Sequence, residues 1–266
     1  MADIFVVEPL TDYIFLGAGK PFAQDEIVRL SQILFHVSRA FRQLNLFYRD
    51  LVLRSKPELH RLFPNPTPHA GMTIPKVTFT ERFKYEGRDP DEYRRSLFLA
   101  TYGDDNEEVI VKSCDKYHGA AHKVVVLENL GPELFFCERI GDGMFMVITK
   151  FIKGRDAHFR FNQENLPANI LDDVKLAIKG LHDAGLVFGD LRRPNILITK
   201  QPGDDREHAV LVDFEWVGQD GQARYPALLN NSGEIKWPLG VQPHAIMKKD
   251  LLREIGQNQL IHDDHQ

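Results

Sequence analysis

The spacing of hydrophobic residues divides the first half of the chain into stretches with different predicted structure. After Pro21, apolar residues between positions 27 and 51 recur at helical spacing, which predicts one long amphipathic helix or a broken pair. From about residue 76 the pattern changes to short segments rich in β-branched and aromatic residues, which is typical of antiparallel strands. The predicted strands are 77–85, 96–102 and 109–112, and the predicted turns between them are 87–90 and 103–106.

The second half of the chain alternates between strand and helix patterns. A helix is predicted over residues 117–130, closed by Gly131 and Pro132, and then strands over 134–137 and 144–151 with a turn at 141–143. Pro167 can sit in the first turn of the next helix, which Gly185 ends. Further strands are predicted over 195–199 and 209–212, on either side of a polar hairpin at 203–206, whereas the pattern after Trp216 is weak.

Composition and charge give no reason to expect several classes of protein. The chain has 266 residues, a formal net charge of −5 and only two cysteines, too few for a disulfide framework. A pI near 6.1 gives no reason to expect a nucleic-acid partner, because phosphate binding usually shows as a basic excess. No apolar run is long enough to span a membrane, and the N-terminus lacks the basic region of a signal peptide. We therefore expect an intracellular, cytoplasmic protein.

Three polar side chains suited to phosphoryl transfer follow the third predicted helix. Asn195 and Asp213 carry the hard oxygen ligands that Mg²⁺ prefers, so they are the candidate metal ligands. Asp190, five residues before Asn195, is the candidate general base for a hydroxyl acceptor. The alternative is that these residues only cap turns, as Asp and Asn often do.

The motifs around these residues resemble those of the protein-kinase-like superfamily. Residues 190–195 (D-L-R-R-P-N) resemble the catalytic loop D-L-x-x-x-N, and residues 213–215 (D-F-E) resemble D-F-G. Upstream, residues 109–112 (V-I-V-K) resemble V-A-I-K, in which the lysine pairs with nucleotide phosphates. The resemblance implies ATP and Mg²⁺ as cofactors and a nucleotide partner, with Lys112 on the phosphates.

The same resemblance implies a bilobal α+β fold. We expect an N-terminal helical extension over residues 1–75 that packs on the fold, an N-lobe with an antiparallel sheet over 76–153, and a reduced, mainly helical C-lobe over 154–266. The long N-terminal helix is expected to brace the fold rather than to bind a partner.

Details of the motifs are similar to those of small-molecule kinases. Gly189-Asp190 resembles the H-G-D of aminoglycoside phosphotransferases, and D-F-E at 213–215 resembles choline kinases. Together with R-Y-P at 224–226, L-R-R-P-N is most similar to uncharacterised kinase-like proteins of fungi. Glu215 is expected to join the magnesium shell directly or through water, although it could equally be a structural carboxylate.

Departures from the family pattern favour a second hypothesis, a pseudokinase that binds nucleotide or acts as a scaffold. Phe188 stands where the family has histidine, so packing must replace hydrogen bonding at that position. No G-x-G-x-x-G is present, and residues 86–91 contribute acidic side chains where phosphate would lie. The acidic residues available to pair with the lysine are Asp115 and Glu128, so the family's helix glutamate has no clear counterpart, and Glu128 is the candidate.

Other residues are open to two interpretations. Lys112 could be an ordinary solvated lysine. Arg192 is a candidate catalytic residue that could contact phosphate or substrate, or form a surface ion pair. His118 and His122 have the spacing of a zinc-binding helix but lack its glutamate and a third ligand, which argues against zinc. The acceptor hydroxyl, on a small molecule or a protein, is not identified.

Overall fold

The structure is a computed structural model, and it describes residues 23–49, 63–66, 68–83, 96–140, 143–162, 164–200, 203–227, 229, 237 and 240–252. The chain divides into two units, residues 1–62 and 63–266. The predicted turn at 87–90, the acidic residues at 86–91 and the first two residues of the turn at 141–143 lie outside the described residues.

Helix α1 (Ala23–Arg49) is the described element of the first unit. Its 27 residues contain neither glycine nor proline, so nothing in the sequence interrupts the backbone hydrogen bonds. The sequence allowed one helix or a broken pair, and the structure has one continuous helix.

The second unit begins with a five-stranded antiparallel sheet in the order β1-β2-β3-β5-β4. Its strands are β1 (Val77–Arg82), β2 (Ser96–Tyr102), β3 (Glu107–Cys114), β4 (Leu134–Arg139) and β5 (Phe145–Lys150). Alternate residues of β3 and β5 point into one hydrophobic cluster, in which Val111 lies opposite Ile148 and both are buried. The predicted strands are therefore confirmed, with ends shifted by a few residues.

Helix α2 (Gly119–Leu127) connects β3 to β4 and belongs to a second hydrophobic cluster. Its residues Ala121 and Val125 are fully buried there. This helix therefore links the sheet to the C-terminal part of the unit.

The C-terminal part combines helices with two small antiparallel sheets. Its elements are β6 (Arg155–Asp156), α3 (Ala157–Phe161), α4 (Ala168–Asp183), β7 (Leu186–Phe188), β8 (Ile196–Lys200), β9 (Glu207–Leu211) and β10 (Val217–Gln219). The apolar stripe of α4 is buried at Ile170, Val174 and Leu181, as its 3.6-residue period predicts. Gly185 ends the helix with a φ of +79°, a conformation that favours glycine.

The short β7–β10 pair and α3 were not predicted from the sequence. β7 has three residues and pairs with β10 on the far side of the 213–216 loop, so its hydrogen bonds depend on residues distant in sequence. None of the described helices is long and apolar enough to cross a membrane.

Candidate functional site

Three of the predicted site residues line a cavity of about 820 Å³ in the second unit. Side chains from the sheet, including Leu97 and Val147, line one part, and Leu197 and Val212 line another. Lys112, Asn195 and Asp213 all reach this cavity. The structure therefore brings together residues that are up to 101 positions apart in sequence.

The loop that carries Asp190 starts where β7 ends. The Gly189 N–H donates to the Trp216 carbonyl at 2.6 Å. A Cβ atom at position 189 would lie 2.8 Å from that same oxygen, so the two loops can approach this closely only with glycine. Gly189 thus fixes the 190–195 loop against the 213–216 loop.

Asp190 and Asn195 are joined by two hydrogen bonds. The Asn195 amide donates to the Asp190 carbonyl at 2.9 Å and to its Oδ2 at 2.8 Å. Both residues are buried, with Asp190 6% and Asn195 0% exposed. The five-residue spacing noted in the sequence therefore closes a tight loop that orients the carboxylate.

Arg192 forms a bidentate ion pair with the same carboxylate. Its Nε contacts Oδ1 of Asp190, and its Nη2 donates to Oδ2 at 2.9 Å. The Arg192 side chain is 13% exposed, and its guanidinium carbon lies 5.4 Å from the ring centroid of Trp237. Arg192 is therefore a partly buried partner of the candidate base rather than a surface ion pair.

Lys112 at the end of β3 pairs with two carboxylates from the loop after β9. Its Nζ lies 2.8 Å from Oδ1 of Asp213 and also contacts Oε1 of Glu215. Burial opposes the charge on Lys112, but the two carboxylates outweigh burial and raise its pKa above the ordinary range. Asp213 has a φ of +68°, an uncommon conformation for a residue other than glycine, and such strain concentrates at functional sites.

Glu128, the candidate partner of Lys112, lies elsewhere. It caps the C-terminal end of α2 and is exposed. The body of α2, G-A-A-H-K-V-V-V-L, contains no acidic residue. Consequently the charge of Lys112 is balanced by Asp213 and Glu215 in this structure.

Aromatic packing surrounds Phe214, the middle residue of D-F-E. The fully buried Phe188 ring meets Phe214 edge-on, with centroids 5.5 Å apart and an interplanar angle of 86°. On another side the His122 ring stacks on Phe214 at 4.4 Å and 7°. Aromatic packing therefore holds the residues just before Asp190 against the 213–216 loop.

His122 is held as a buried neutral ring. Its Nε2 lies 2.7 Å from the Pro132 carbonyl, which can only accept, so Nε2 carries the proton and Nδ1 accepts from the Tyr117 hydroxyl at 2.8 Å. Burial lowers the pKa of His122 to about 4, although the bond to Pro132 acts in the opposite direction. His118 instead caps α2, accepting from the Ala121 N–H at 3.1 Å. Both histidines thus have structural contacts.

The oxygen atoms at the site suit a magnesium ion. Oδ1 of Asn195 is buried and has no hydrogen-bond partner among the described residues, which leaves an amide oxygen available as a ligand. The carboxylate of Asp213 is the second predicted ligand, and it faces the same cavity. Within the described ranges, no group of three His, Cys, Asp or Glu side chains is arranged to hold a metal.

The aromatic residues that lie near Asp190 and its partner Arg192 were not identified from the sequence. The chain's two tryptophans, Trp216 and Trp237, stack with centroids 6.0 Å apart. Tyr225 is buried, its hydroxyl has no partner among the described residues, and burial together with the charge of Asp190 raises its pKa to about 12. The R-Y-P motif at 224–226 could have pointed to Tyr225. Trp237 could not have been found in this way, because it follows a stretch with little pattern.

Comparison with known proteins finds a sequence similarity to a protein kinase over part of the chain. No family model matches. The chain is 30% identical over 122 residues to ribosomal protein S6 kinase alpha-6 of Danio rerio, a match that covers 38% of this chain and 16% of the zebrafish protein. A solved structure, that of the Cydia pomonella granulovirus kinase PK-1, aligns with 55% of this chain and 53% of the viral kinase chain. The aligned residues are 14% identical, and the TM-score is 0.43. The similarity to a protein kinase sequence is thus confined to part of the chain, and the described residues form an α+β fold in which an antiparallel sheet is followed by helices.

Proposed function

We propose that the chain is an ATP- and Mg²⁺-dependent phosphotransferase that phosphorylates a hydroxyl group on a small molecule or protein. One observation carries the proposal. Asn195, whose amide holds Asp190, lines the same cleft as the Lys112–Asp213 ion pair. Residues 76–153 form the N-lobe of this proposed enzyme, and residues 154–266 form the C-lobe.

Asp190 is the proposed general base. An attacking hydroxyl must be oriented and must lose its proton, and a positioned carboxylate does both. Asn195 fixes Oδ2 of Asp190, and the planar guanidinium of Arg192 fixes both oxygens, so the carboxylate is already oriented before an acceptor arrives. The Arg192 guanidinium also lies beside the carboxylate oxygens that would take the proton.

Lys112 is the proposed phosphate ligand, and Asn195, Asp213 and Glu215 are the proposed metal ligands. Magnesium, when bound, neutralises the charge that develops on the transferred phosphoryl group. Lys112 is protonated and partly buried, so in the nucleotide complex it exchanges carboxylate contacts for phosphate contacts without losing its charge. Asn195 holds its orphaned Oδ1 at the cavity through the two bonds that its amide nitrogen makes to Asp190.

The acceptor is proposed to resemble those of small-molecule kinases. Gly189 before Asp190 and Glu215 after Phe214 are the residues that favour the aminoglycoside phosphotransferase and choline kinase branch and its fungal relatives. The structure gives Gly189 a physical role in this pattern, because a side chain there would collide with the Trp216 carbonyl. An intracellular, cytoplasmic location, where ATP is available, accompanies this proposal.

A pseudokinase is the second candidate, and the pairing of Lys112 favours it. Lys112, the proposed phosphate ligand, forms ion pairs with Asp213 and Glu215, which are proposed metal ligands. In this arrangement the three side chains bind one another instead of phosphate and metal. If nucleotide binding does not displace these ion pairs, Lys112 cannot bind phosphate and the carboxylates cannot bind metal. The chain would then keep the fold without transferring phosphate. Nucleotide binding with no turnover is the expected result for this candidate.

Phosphate release from Mg²⁺·ATP tests the proposal. The wild-type protein is expected to release phosphate slowly to water, and Asp190→Asn is expected to abolish the release while retaining nucleotide binding. Asp183→Asn is the matched control, because Asp183 is an exposed residue of α4 paired with Lys179. Binding without release in the wild type supports the pseudokinase. If a thermal-shift titration shows no stabilisation by ATP with or without Mg²⁺, both candidates fail.

A further inference from the structure

The loop that carries Asp190 is tied at two points to a pair of tryptophans. At the first point, the Gly189 N–H donates to the Trp216 carbonyl at 2.6 Å. At the second, the guanidinium carbon of Arg192 lies 5.4 Å from the centroid of the Trp237 ring. The two tryptophan rings stack on each other, with centroids 6.0 Å apart and an interplanar angle of 27°. Together these contacts form a closed series around the proposed general base.

The ion pair between Arg192 and Asp190 needs a guanidinium that is held in one orientation. Arg192 lies in extended backbone, with φ of −123° and ψ of 157°, just before the short 3₁₀ helix Arg193–Asn195. Its side chain has several rotatable bonds, and fixing them opposes the ion pair. An aromatic ring that faces the guanidinium offsets this cost, because the π face attracts the cation.

Burial strengthens the contact between Arg192 and Trp237. The side chains of Arg192 and Asp190 are 13% and 8% exposed. Both tryptophans are partly buried and pack against the hydrophobic cluster of the C-terminal part. The attraction between a cation and an aromatic ring is larger where water is excluded. Trp237 is therefore placed to hold Arg192, and the stack with Trp216 holds Trp237 in turn.

We propose that Trp237 is a positioning residue whose ring holds the Arg192 guanidinium against Asp190 and thereby orients the proposed general base. Without the ring, Oδ1 of Asp190 loses its steady contact with the guanidinium, while Oδ2 keeps the bond from Asn195. A carboxylate held less firmly faces the acceptor hydroxyl for less of the time. The effect of Trp237 on phosphoryl transfer rests on the proposed phosphotransferase function, whereas its effect on the ion pair does not.

Solvent exchange of the Arg192 Nε–H proton, measured by NMR, tests the effect on the ion pair. Arg192→Lys assigns the resonance by removing it. Trp237→Leu removes the π face and is expected to speed this exchange about tenfold or more, whereas Trp237→Phe keeps an aromatic face and should stay within about threefold of the wild type. The Arg160 Nε–H, which donates to Oε1 of Glu207 at 3.0 Å, is the internal reference and should not change.

Phe145→Leu is the matched control variant. The Phe145 ring faces another arginine, with the Arg139 guanidinium carbon 4.5 Å from the ring centroid, and it belongs to β5 outside the lining of the cavity. Trp237→Met serves as a second test variant, and circular dichroism checks that each protein is folded. Unchanged exchange at Arg192 in the Trp237→Leu and Trp237→Met proteins, or equal acceleration by Phe145→Leu, overturns the proposal.

Phosphate release from Mg²⁺·ATP tests the effect on the proposed base. Trp237→Leu is expected to lower kcat about tenfold or more with the KM for ATP unchanged, and Trp237→Phe is expected to recover most of the kcat. A full kcat in Trp237→Leu, despite faster exchange at Arg192, overturns the positioning of the base. A wild type that releases no phosphate refutes the phosphotransferase function, and the exchange measurement then decides by itself whether Trp237 holds Arg192 against Asp190.

Discussion

Lys112 Nζ lies 2.8 Å from Oδ1 of Asp213 and joins the end of β3 to the loop after β9. The side chains are 12% and 13% exposed, so water screens the interaction only weakly. Glu215 makes a second contact to the same nitrogen. This pair is where the sheet meets the loop that carries the proposed metal ligands, so it links the stability of the fold to the chemistry of the site.

Lys112→Met is expected to destabilise the protein strongly. The substitution leaves Asp213 and Glu215 without their shared cation, and removing one member of a buried pair typically costs about 3–5 kcal/mol. The free energy of unfolding, obtained from urea denaturation, measures the loss. Lys179→Met is the control, since the Lys179–Asp183 pair is exposed on α4 and its removal should leave stability unchanged. Equal losses in the free energy of unfolding would show that the buried pair stabilises the fold no more than the exposed pair does.

Gly189→Ala and Gly180→Ala are expected to change stability in opposite directions. A methyl group at 189 would lie 2.8 Å from the Trp216 carbonyl and 2.9 Å from Cε of Met247, so the loops must separate at a cost of about 1–3 kcal/mol. At position 180, inside α4, the added methyl meets only Val124 at an ordinary 3.6 Å. Alanine there should stabilise the helix by about 0.5–1 kcal/mol. Thermal unfolding of both variants measures the difference, and a neutral Gly189→Ala would refute the close contact between the loops.

The sequence predicted those parts of the fold and site that local patterns determine. The strands of the sheet were recognisable because β-branched and aromatic residues cluster in them, and α4 because its buried face follows a helical period. Asp190 and Asn195 were recognised by a spacing that the structure explains, since the Asn195 amide reaches back to Asp190.

Contacts between distant residues could not be predicted in the same way. Glu128 was the predicted partner of Lys112, because the kinase resemblance implies a lysine–glutamate pair with the following helix. In the structure the partners of Lys112 come from a loop about 100 residues later. Likewise nothing in the sequence around Trp237 indicated that its ring would lie on Arg192. These pairings depend on how the sheet and the C-terminal elements pack, which residue patterns do not specify.

His122 is expected to make stability depend on pH. Its pKa is about 4 in the folded protein against an ordinary 6.5, so between these values the unfolded chain binds more protons than the folded one. The contribution to stability is therefore complete above pH 6.5 and is lost as pH falls towards 4, by about 3 kcal/mol in all. His122→Gln removes the titrating group and can keep the bond to the Pro132 carbonyl. Urea denaturation of both proteins between pH 4 and 7 should show a steeper decline for the wild type, and parallel curves would contradict the buried neutral histidine.

Phe188→Ala is expected to lower stability because the Phe188 ring packs against Phe214, next to the proposed metal ligand Asp213. The ring is fully buried against Phe214, and deleting such a side chain usually costs about 3–5 kcal/mol. Phe159→Ala provides the comparison. Because Phe159 is 40% exposed, its replacement should lower the free energy of unfolding much less. Chemical denaturation measures the free energy of unfolding of both variants, and a small effect at Phe188 would mean that the aromatic cluster does not support the loop that begins at Gly189.

Calorimetric titration of the protein with Mg²⁺·ATP tests the central claim most directly. The wild type is expected to bind ATP more tightly with Mg²⁺ than with a chelator, and Asp213→Asn is expected to remove that metal-dependent gain, about tenfold or more in affinity. Asp183→Asn, on the exposed face of α4, should bind as the wild type does. Metal-independent binding in the wild type, or an Asp213→Asn variant that keeps the full gain, would contradict the assignment of this cleft as a magnesium–nucleotide site.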